Sequence, residues 1–494
     1  MLLIARINID GLVMRYVTSI IVLEPLYEFI AYSKSLYTAF IIAAADGLGD
    51  VYMTEQIKIV TLGCDKNLVD SEIMSGIMDQ YGHELVENAE DATVIIVNTC
   101  GFIDAAKEES VNTILELADL KETARLKALI VSGCLTQRYK EQLLEEMPEI
   151  DGIVGTGDFH KINDIVAEAL QGKKPVRVGN PVFNYEQILP RKVATPRYTA
   201  YVKIAEGCDN NCTFCSIPIM RGKFRSRSMK SILAEVKQLA DQGVKEISLI
   251  AQDSTNYGVD LYDGFKLPEL MNKVSEVPGV EWVRLHYAYP GFFTEELIDT
   301  IASNPKVCKY VDMPLQHSED TILKRMRRPG RQRDSRELVR KIRARIPEVA
   351  LRTSIIVGFP GETDEDFENL ASFVREMKFD RLGVFTYSPE EDTAATRLPD
   401  HVPDEVKEWR ANTLMEIQRE VSKNVNERHI GRMLDVLVER YDGRNDVYIG
   451  RSQYDAPEID GEVFISNCKL SIGEIAKVKI THALEFDLAG EGVL

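Results

Sequence analysis

Residues 208–215 read Cys208-Asp209-Asn210-Asn211-Cys212-Thr213-Phe214-Cys215 and follow an apolar run over 200–206. The apolar run predicts a β-strand, so the three thiols lie in the loop that leaves it. Three thiolates at this spacing can bind three irons of a cubane cluster and leave the fourth iron open to a small molecule. A structural zinc site or a ferredoxin-type cluster would need a fourth ligand, and no further Cys or His lies nearby. The stretch therefore predicts an iron–sulfur cluster with one open iron.

The length and charge of the chain limit what it can do. Its 494 residues are enough for about three domains. A net charge of −19 argues against a surface devoted to wrapping nucleic acid and suits a basic partner. A solvated acidic surface without a specific partner is the alternative.

The eight cysteines are too few for a disulfide scaffold of this length. Six of them fall into two groups of three, which predicts a reducing, cytoplasmic setting. The other two, Cys308 and Cys468, are expected to be small core residues.

Residues 1–52 do not share the pattern of the chain that follows. Their apolar patches are too short or too interrupted by charge to span a bilayer, and no secretory signal pattern is present. Strand–helix alternation begins only after Met53. We expect this N-terminal extension to lie outside the fold as the product of an upstream start; the alternative is a helical pair that packs on the first domain. No transmembrane segment is predicted elsewhere, so no membrane partner is expected.

A first domain is predicted over 53–172, where strands and helices alternate as in parallel βα units. Three of its apolar runs, at 57–62, 94–97 and 129–131, each end next to a cysteine. In an open α/β sheet the carboxyl ends of the strands are where ligands collect, so these three thiols can converge. We predict a second three-cysteine cluster from Cys64, Cys100 and Cys134.

The rest of the chain predicts a linker and two further domains. Gly and Pro residues indicate a linker over 173–196. Six strand-like runs alternate with helices in 197–428, which predicts a partial parallel (βα)6 TIM-like barrel with its site at the carboxyl ends of the strands. The runs lie at 200–206, 245–250, 282–287, 309–314, 351–357 and 382–387.

Helix caps and turns complete this outline. Ser228 and Ser318 are expected to cap helices over 229–242 and 318–327, and a charged helix is expected over 403–428. Residues 429–494 hold strand-like runs separated by tight-turn signals such as Asp442-Gly443. This pattern is typical of a small β-barrel.

The spacing in 208–215 is similar to that of the radical S-adenosylmethionine enzymes, whose open iron binds the amino and carboxylate groups of that cofactor. With the second triad, the barrel and the small β-tail, residues 54–494 resemble the methylthiotransferases. The resemblance implies S-adenosylmethionine as cofactor, a TRAM domain at the C-terminus and two 4Fe–4S clusters. By position, the auxiliary cluster would take Cys64, Cys100 and Cys134, and the radical cluster would take Cys208, Cys212 and Cys215.

Two branches of this family compete. MiaB-like enzymes modify an adenosine of transfer RNA, and RimO-like enzymes modify an aspartate of a ribosomal protein near the decoding centre. Gly63-Cys64-Asp65-Lys66-Asn67 resembles the RimO type, since the other branch usually has Gln-Met-Asn after the Cys, and residues 98–103, 221–227 and 450–461 point the same way. The resemblance implies methylthiolation of the β-carbon of an aspartate in protein twelve of the small ribosomal subunit. The transfer RNA reaction is the alternative.

The charge of the tail supports a protein substrate independently. Residues 430–494 carry seven basic and twelve acidic side chains, a net charge of −5. An RNA-docking module needs the opposite sign because phosphate contacts dominate its affinity. We expect the ribosomal protein or the small ribosomal subunit as substrate and no dedicated nucleic-acid binding; a packing domain with a solvated face is the alternative.

The resemblance also implies a reaction sequence. An electron given to the radical cluster cleaves S-adenosylmethionine into methionine and a 5′-deoxyadenosyl radical, which abstracts hydrogen from the target carbon. Sulfur on the auxiliary cluster is methylated by another S-adenosylmethionine and transferred. A Gly/Pro turn in 352–363 suits the cofactor pocket or is an ordinary βα turn, and the candidate lining residues are Phe214, Ser354 and Gly358. Gln316 and His317 can face the same pocket but are not expected to be catalytic.

An electron-transfer protein with two clusters is the rival from another class. Electron carriers tend to be small and fully ligated by cysteine, whereas both groups here offer three Cys. A reductase such as flavodoxin or ferredoxin is expected as the electron source.

Overall fold

The computed structural model describes residues 54–183, 185–186, 188–328 and 332–493. The expectations for residues 1–52 therefore lie outside the described residues. All elements given below belong to one unit that begins at Glu55.

The first domain is an open sheet of six parallel strands in the order β2-β1-β3-β4-β5-β6. The strands are β1 (Gln56–Thr61), β2 (Glu84–Leu85), β3 (Val94–Thr99), β4 (Ala128–Gly133), β5 (Gly152–Gly155) and β6 (Val176–Arg177). The helices are α1 (Asp65–Gln80), α2 (Asp104–Ala118), α3 (Leu120–Thr123), α4 (Cys134–Tyr139), α5 (Glu141–Glu146) and α6 (Ile162–Leu170). The predicted α/β architecture of this domain is confirmed.

The central strands of this sheet are covered on both faces. β3 and β4 are buried along their whole length, and their Val- and Ile-rich sequences suit a central parallel strand. Val94 and Ile96 pack with residues of α1 and α6, while Ile95 and Val97 pack in a second core that includes residues of α2. With both faces covered, the strand ends are left for a site.

The second domain is a partial barrel of six parallel strands in two sheets, β7-β10-β11 and β12-β13-β14. A parallel bridge links Val283 of the first sheet to Val307, just before the first strand of the second sheet. The barrel strands are β7 (Thr199–Lys203), β10 (Glu246–Ile250), β11 (Trp282–Leu285), β12 (Tyr310–Asp312), β13 (Ala350–Val357) and β14 (Arg381–Thr386). A short antiparallel pair, β8 (Ala205–Glu206) and β9 (Arg225–Ser226), flanks the cysteine loop. All six predicted strands are present.

Eight helices belong to this part of the described chain. They are α7 (Ile217–Arg221), α8 (Met229–Asp241), α9 (Leu267–Ser275), α10 (Glu295–Ser303), α11 (Asp320–Arg325), α12 (Gln332–Arg345), α13 (Asp364–Met377) and α14 (Asp404–Asn426). Ser228 caps α8 as predicted, accepting a hydrogen bond from Ser231 N at 3.2 Å. The predicted cap at Ser318 is wrong: α11 begins later, with Glu319 at the cap position, and the Ser318 hydroxyl donates to Glu319 Oε1 at 3.1 Å and does not cap the helix. No helix of the described residues is long and apolar enough to cross a membrane.

The C-terminal domain is a closed barrel in the order β15-β16-β17-β19-β18. Its strands are β15 (Met433–Asp442), β16 (Val447–Ser452), β17 (Val463–Ser466), β18 (Ile475–Ala483) and β19 (Leu488–Gly492). The predicted small β-barrel is therefore confirmed. Cys308 is buried as expected, whereas Cys468 is only partly buried.

The segment 452–460, which begins at the last residue of β16 and leads towards β17, closes the amino-terminal end of the parallel barrel. Tyr310 OH donates to Asp460 Oδ2 at 2.7 Å, and Arg381 forms an ion pair with Asp455. Tyr310 and Arg381 are the first residues of β12 and β14. This plug leaves the carboxyl ends of the barrel strands for the site.

Candidate functional site

Cys64, Cys100 and Cys134 follow three neighbouring strands of the open sheet. Cys64 precedes α1, Cys100 follows β3 directly and Cys134 begins α4. Because β1, β3 and β4 are adjacent and parallel, the three thiols lie at one edge of the sheet. The thiols act on one another electrostatically, and their exposure falls from Cys64, which is exposed, to Cys134, which is buried.

Two glycines let the cysteine loops approach one another. Gly63 has a φ of +89°, and a Cβ there would lie 2.8 Å from the Cβ of Cys100. Gly133 has a φ of +101°, and a Cβ there would lie 2.5 Å from the carbonyl oxygen of Thr99. Only glycine combines this backbone conformation with this spacing.

The Asn67 side chain ties these loops together. Its Nδ2 donates to Leu62 O at 2.9 Å and to Thr99 O at 3.0 Å, the carbonyls that lead into the Cys64 and Cys100 loops. Its Oδ1 lies 3.9 Å from Cys134 Sγ. One buried amide therefore contacts all three cysteine-bearing segments.

Burial affects two thiols of the first triad. It raises the pKa of Cys100 to about 12, and it raises the pKa of Cys134 as well. The Arg221 guanidinium opposes both rises. Thiols of this kind become thiolates when a metal centre replaces the proton.

Cys208, Cys212 and Cys215 lie in the loop between β8 and α7, and all three are partly buried. Burial raises the pKa of Cys208 to about 11 and that of Cys215 to about 12. Arg328 Nη1 lies 3.8 Å from Cys212 Sγ, and its guanidinium carbon lies 4.5 Å from the centre of the Tyr289 ring. A fixed cation therefore stands beside this triad.

The donor chemistry of both triads is thiol throughout, which suits iron–sulfur clusters. In the described part of the chain, no three His, Cys, Asp or Glu side chains are arranged to hold a single metal ion. The fit of the triads to clusters therefore rests on the chemistry and number of their donors.

A buried charge network joins the open-sheet domain to the barrel domain. Lys203 is fully buried; its Nζ lies 2.5 Å from Asp70 Oδ1, and it also pairs with Glu206. Arg221 Nη1 lies 2.8 Å from Asp70 Oδ2, and Tyr185 OH donates to Asp70 at 2.6 Å. Burial by itself would raise the pKa of Glu206, but Lys203 and Arg221 lower it to about 2.

Tyr287 forms a second contact between the domains. Its hydroxyl donates to Asp65 Oδ1 at 3.1 Å, and Lys66 Nζ lies 2.9 Å from the centre of its ring. Tyr287 has a φ of +60°, which is uncommon for a bulky residue and marks local strain. The residues next to Cys64 are thus held against the end of β11.

Glu390 forms a third contact, beyond the end of β14. Its carboxylate lies 2.8 Å from Arg138 Nη1 and 3.0 Å from Lys107 Nζ. Arg138 also donates to the carbonyl of Gly101, next to Cys100. The open sheet and the barrel are therefore fastened by buried ion pairs around the cysteines.

The predicted pocket residues fall into two places. Phe214 makes an edge-to-face contact with Phe359, with ring centres 6.4 Å apart, so it lies beside Gly358. The Gly358 turn is fixed by Glu362, whose Oε2 accepts from Gly358 N at 2.7 Å. Ser354 lies four residues earlier on β13, and a Cβ on Gly383 would lie 3.7 Å from its Oγ. The structure thus brings Phe214 and Gly358 together and places Ser354 further down the strand.

Gln316 and His317 have structural contacts at the end of the fourth barrel strand. Gln316 N donates to Ser354 O, and Gln316 O accepts from Ile356 N, both at 2.8 Å. His317 is fully buried; its Nδ1 accepts from Glu319 N, and its Nε2 lies 3.5 Å from Glu362 Oε2. That neither residue is catalytic stays a prediction.

Sequence reasoning missed the network of Asp70, Lys203, Glu206 and Arg221. One signal was present, since Lys203 is a charged residue inside an apolar strand. Arg221 lies in the stretch 221–227, whose pattern distinguishes the two branches of the methylthiotransferase family but does not predict a charge network. Its contact with Asn67 crosses 154 residues of chain, a distance over which the sequence pattern carries no pairing information.

Three family models match the chain. The model described as uncharacterized protein family UPF0004 matches residues 56–155, the Radical SAM superfamily matches 202–374 and the TRAM domain matches 430–493. These spans fall within the open sheet, the parallel barrel and the closed barrel.

The chain is also similar to curated proteins over most of its length. It is 51% identical over 438 residues to the ribosomal protein uS12 methylthiotransferase RimO of Desulforamulus reducens, covering 88% of this chain and 99% of that protein. The protein of the same name from Heliobacterium modesticaldum is 50% identical over 447 residues, covering 90% and 97%.

Solved structures support the fold. The radical S-adenosylmethionine methyltransferase TsrM from Kitasatospora setae, with cobalamin and a 4Fe–4S cluster bound, matches with a TM-score of 0.52 at 15% identity. The match covers 69% of this chain and 74% of that chain. At this identity the likeness concerns the architecture alone.

Proposed function

Because this chain belongs to the RimO family of ribosomal protein uS12 methylthiotransferases, we propose that its two triads hold two 4Fe–4S clusters and that its target is an aspartate β-carbon of uS12. The chain is a radical S-adenosylmethionine enzyme that methylthiolates this ribosomal protein. Cluster and cofactor use follow from its radical domain. The cluster count and the target atom are the parts that we propose.

The contact of the first triad with the helix that follows the second triad is the observation that carries the two-cluster proposal. Cys134, Asn67 and Arg221 form one buried path from the first triad to α7, the helix that follows Cys215. Each triad offers three thiols, so each bound cluster would keep one iron without a protein ligand. When bound, the clusters and S-adenosylmethionine would supply the radical and the sulfur.

The chain itself positions these groups. Asn67 holds the loops of the first triad, and Arg328 places a positive charge beside Cys212. Phe214 and Gly358 line the place for S-adenosylmethionine in our proposal, with Glu362 fixing the turn. The ion pairs of Glu390 with Arg138 and Lys107 hold the end of the barrel domain against the open sheet beside Cys100.

Charge supports uS12 as the partner of the closed barrel. Asp455, Asp460 and Arg451 are turned toward the parallel barrel, and the remaining ten acidic and six basic residues of 430–494 leave a net charge of −4. That surface suits a basic protein. A TRAM domain is also compatible with RNA contact, so the absence of nucleic-acid binding stays a prediction.

The setting and the electron source are proposed on chemical grounds. We infer a reducing cytoplasm and a flavodoxin or ferredoxin as donor, because the thiols must stay reduced and the reaction consumes electrons. We also propose that 53–172, 197–428 and 429–494 act as three domains joined by the linker 173–196.

Mass spectrometry of reacted substrates tests the proposal. Enzyme loaded with iron and sulfide would be given S-adenosylmethionine, a reductant and either purified uS12 or transfer RNA. A methylthio group on an aspartate of uS12, with transfer RNA unchanged, is the expected result. Modification of another residue type would refute the proposed target atom.

A further inference from the structure

Arg221 belongs to the barrel domain, yet its guanidinium lies among the thiols of the open-sheet domain. Its Nη2 donates to Asn67 Oδ1 at 2.6 Å, and that same oxygen lies 3.9 Å from Cys134 Sγ. Its Nη1 lies 2.8 Å from Asp70 Oδ2. A single amide oxygen therefore separates a buried cation from the buried thiol of the first triad.

The position of Arg221 in the chain is equally specific. It is the last residue of α7, a five-residue helix that begins two residues after Cys215. The side chain is 4% exposed, so water screens its charge little. The segment that follows the second triad therefore places a positive charge beside the first triad.

The two ends of the Arg221 guanidinium have different partners. Nη1 donates to Asp70 Oδ2 at 2.8 Å and to Glu206 Oε1 at 3.4 Å. Nη2 donates to Asn67 Oδ1 at 2.6 Å, on the side of Cys134. The positive end of this ion pair therefore faces the first triad.

We propose that Arg221 is a positioning residue of the barrel domain that raises the reduction potential of the auxiliary cluster. The inference rests on the proposed function, because it requires a cluster on Cys64, Cys100 and Cys134. A cluster gains one negative charge on one-electron reduction, and a buried cation stabilises the reduced form more than the oxidised form. The environment of the auxiliary cluster is then completed only when the two domains are joined.

The test is a reductive titration with dithionite, followed by electron paramagnetic resonance. Full-length protein with Cys208, Cys212 and Cys215 replaced by Ala would be loaded with iron and sulfide, so that only the auxiliary cluster contributes a signal. The variants are Arg221→Lys, Asp70→Asn, and Asp70→Asn combined with Arg221→Gln. The double variant avoids leaving Asp70 as a buried, unpaired carboxylate, which is strongly destabilising.

The matched control is Arg225→Gln. This residue lies in the same stretch, but its guanidinium donates to the carbonyls of Arg221 and Lys223. Removing its charge should leave the midpoint potential unchanged.

The order of the midpoint potentials of these variants tests the proposal. The midpoint potential of the double variant should be more negative than that of Asp70→Asn alone, and Arg221→Lys should stay near the parent. Equal potentials in Asp70→Asn and the double variant would overturn the inference. A double variant that folds but binds no iron would also overturn it, since Arg221 would then be structural. If the parent itself binds no cluster, the two-cluster proposal fails, and the inference falls with it.

Discussion

Arg451 Nη2 of the closed barrel lies 2.6 Å from Glu246 Oε2 at the start of β10, and both side chains are almost fully buried. Glu246 also accepts from Arg284 Nε at 2.8 Å. Burial by itself would raise the pKa of Glu246, but Arg451 and Arg284 lower it to about 2. The contact between the two barrels therefore depends on charges that are removed from water.

Replacing Arg451 by Met should destabilise the protein by about 3 kcal/mol, because Glu246 loses a partner in a dry site. Urea denaturation followed by circular dichroism measures this loss. The control is Arg440→Met, which breaks an exposed ion pair with Glu462 at 2.6 Å. It should cost less than about 1 kcal/mol. Equal losses in the two variants would contradict the importance of burial.

Stability should fall as pH drops below 6.5, in part because of His429. Burial lowers the pKa of His429 to about 3, and Arg428 and Arg432 contribute. Between pH 6.5 and 3 the unfolded chain therefore binds a proton that the folded chain does not, which costs up to about 1.4 kcal/mol per pH unit. Denaturation of His429→Gln between pH 6.5 and 4.5 should show a shallower dependence than the wild type. Above about pH 7.5, where His429 carries no proton in either state, the pH dependence of the two proteins should be the same.

The two triads should separate by iron content and by reaction. Replacing Cys64, Cys100 and Cys134 by Ala should halve the bound iron and end methylthiolation while S-adenosylmethionine is still cleaved reductively. Replacing Cys208, Cys212 and Cys215 should end that cleavage. Iron analysis and chromatography of 5′-deoxyadenosine report the outcome. Full methylthiolation by the first variant would show that the auxiliary assignment is wrong.

Capture of uS12 should depend on the acidic surface of the closed barrel. Deletion of this barrel would expose its buried ion pairs, so point substitutions are the cleaner test. Changing Asp446, Glu485 and Glu491, all exposed, to amides should weaken binding of uS12, and the loss should shrink at high salt. Changing the exposed Arg444 and Lys469 to Gln should not weaken it. Tight, salt-sensitive binding of transfer RNA by the wild type would contradict a protein substrate.

The sequence predicts where the cysteines of the first domain lie because their positions depend on a local pattern. An apolar run followed by a thiol places Cys64, Cys100 and Cys134 at strand ends, and parallel pairing then brings those ends together. The sequence does not predict the strand pairing that closes the C-terminal barrel. β19 pairs with β17 in parallel and with β18 in antiparallel orientation, and its Gly-rich sequence, Leu488–Gly492, lacks a clear strand pattern.

Contacts between domains could not be predicted at all. Lys203 and Asp70 are 133 residues apart, and the acidic partner of a buried lysine is fixed only by how the domains dock. The same holds for Glu390, which meets Arg138 across 252 residues. The stretch around Asn67 is typical of one branch of the family, and its Asn67 side chain ties the cysteine loops to each other.

The segment 452–460 belongs to the closed barrel, but it closes the amino-terminal end of the parallel barrel. Neither barrel can open without exposing the other's buried charges, so the pair should unfold in a single cooperative transition. A protease should then fail to release the closed barrel as an intact fragment. The C-terminal module is consequently not an interchangeable part: replacing it by an unrelated module during evolution or engineering would require a redesigned barrel floor as well.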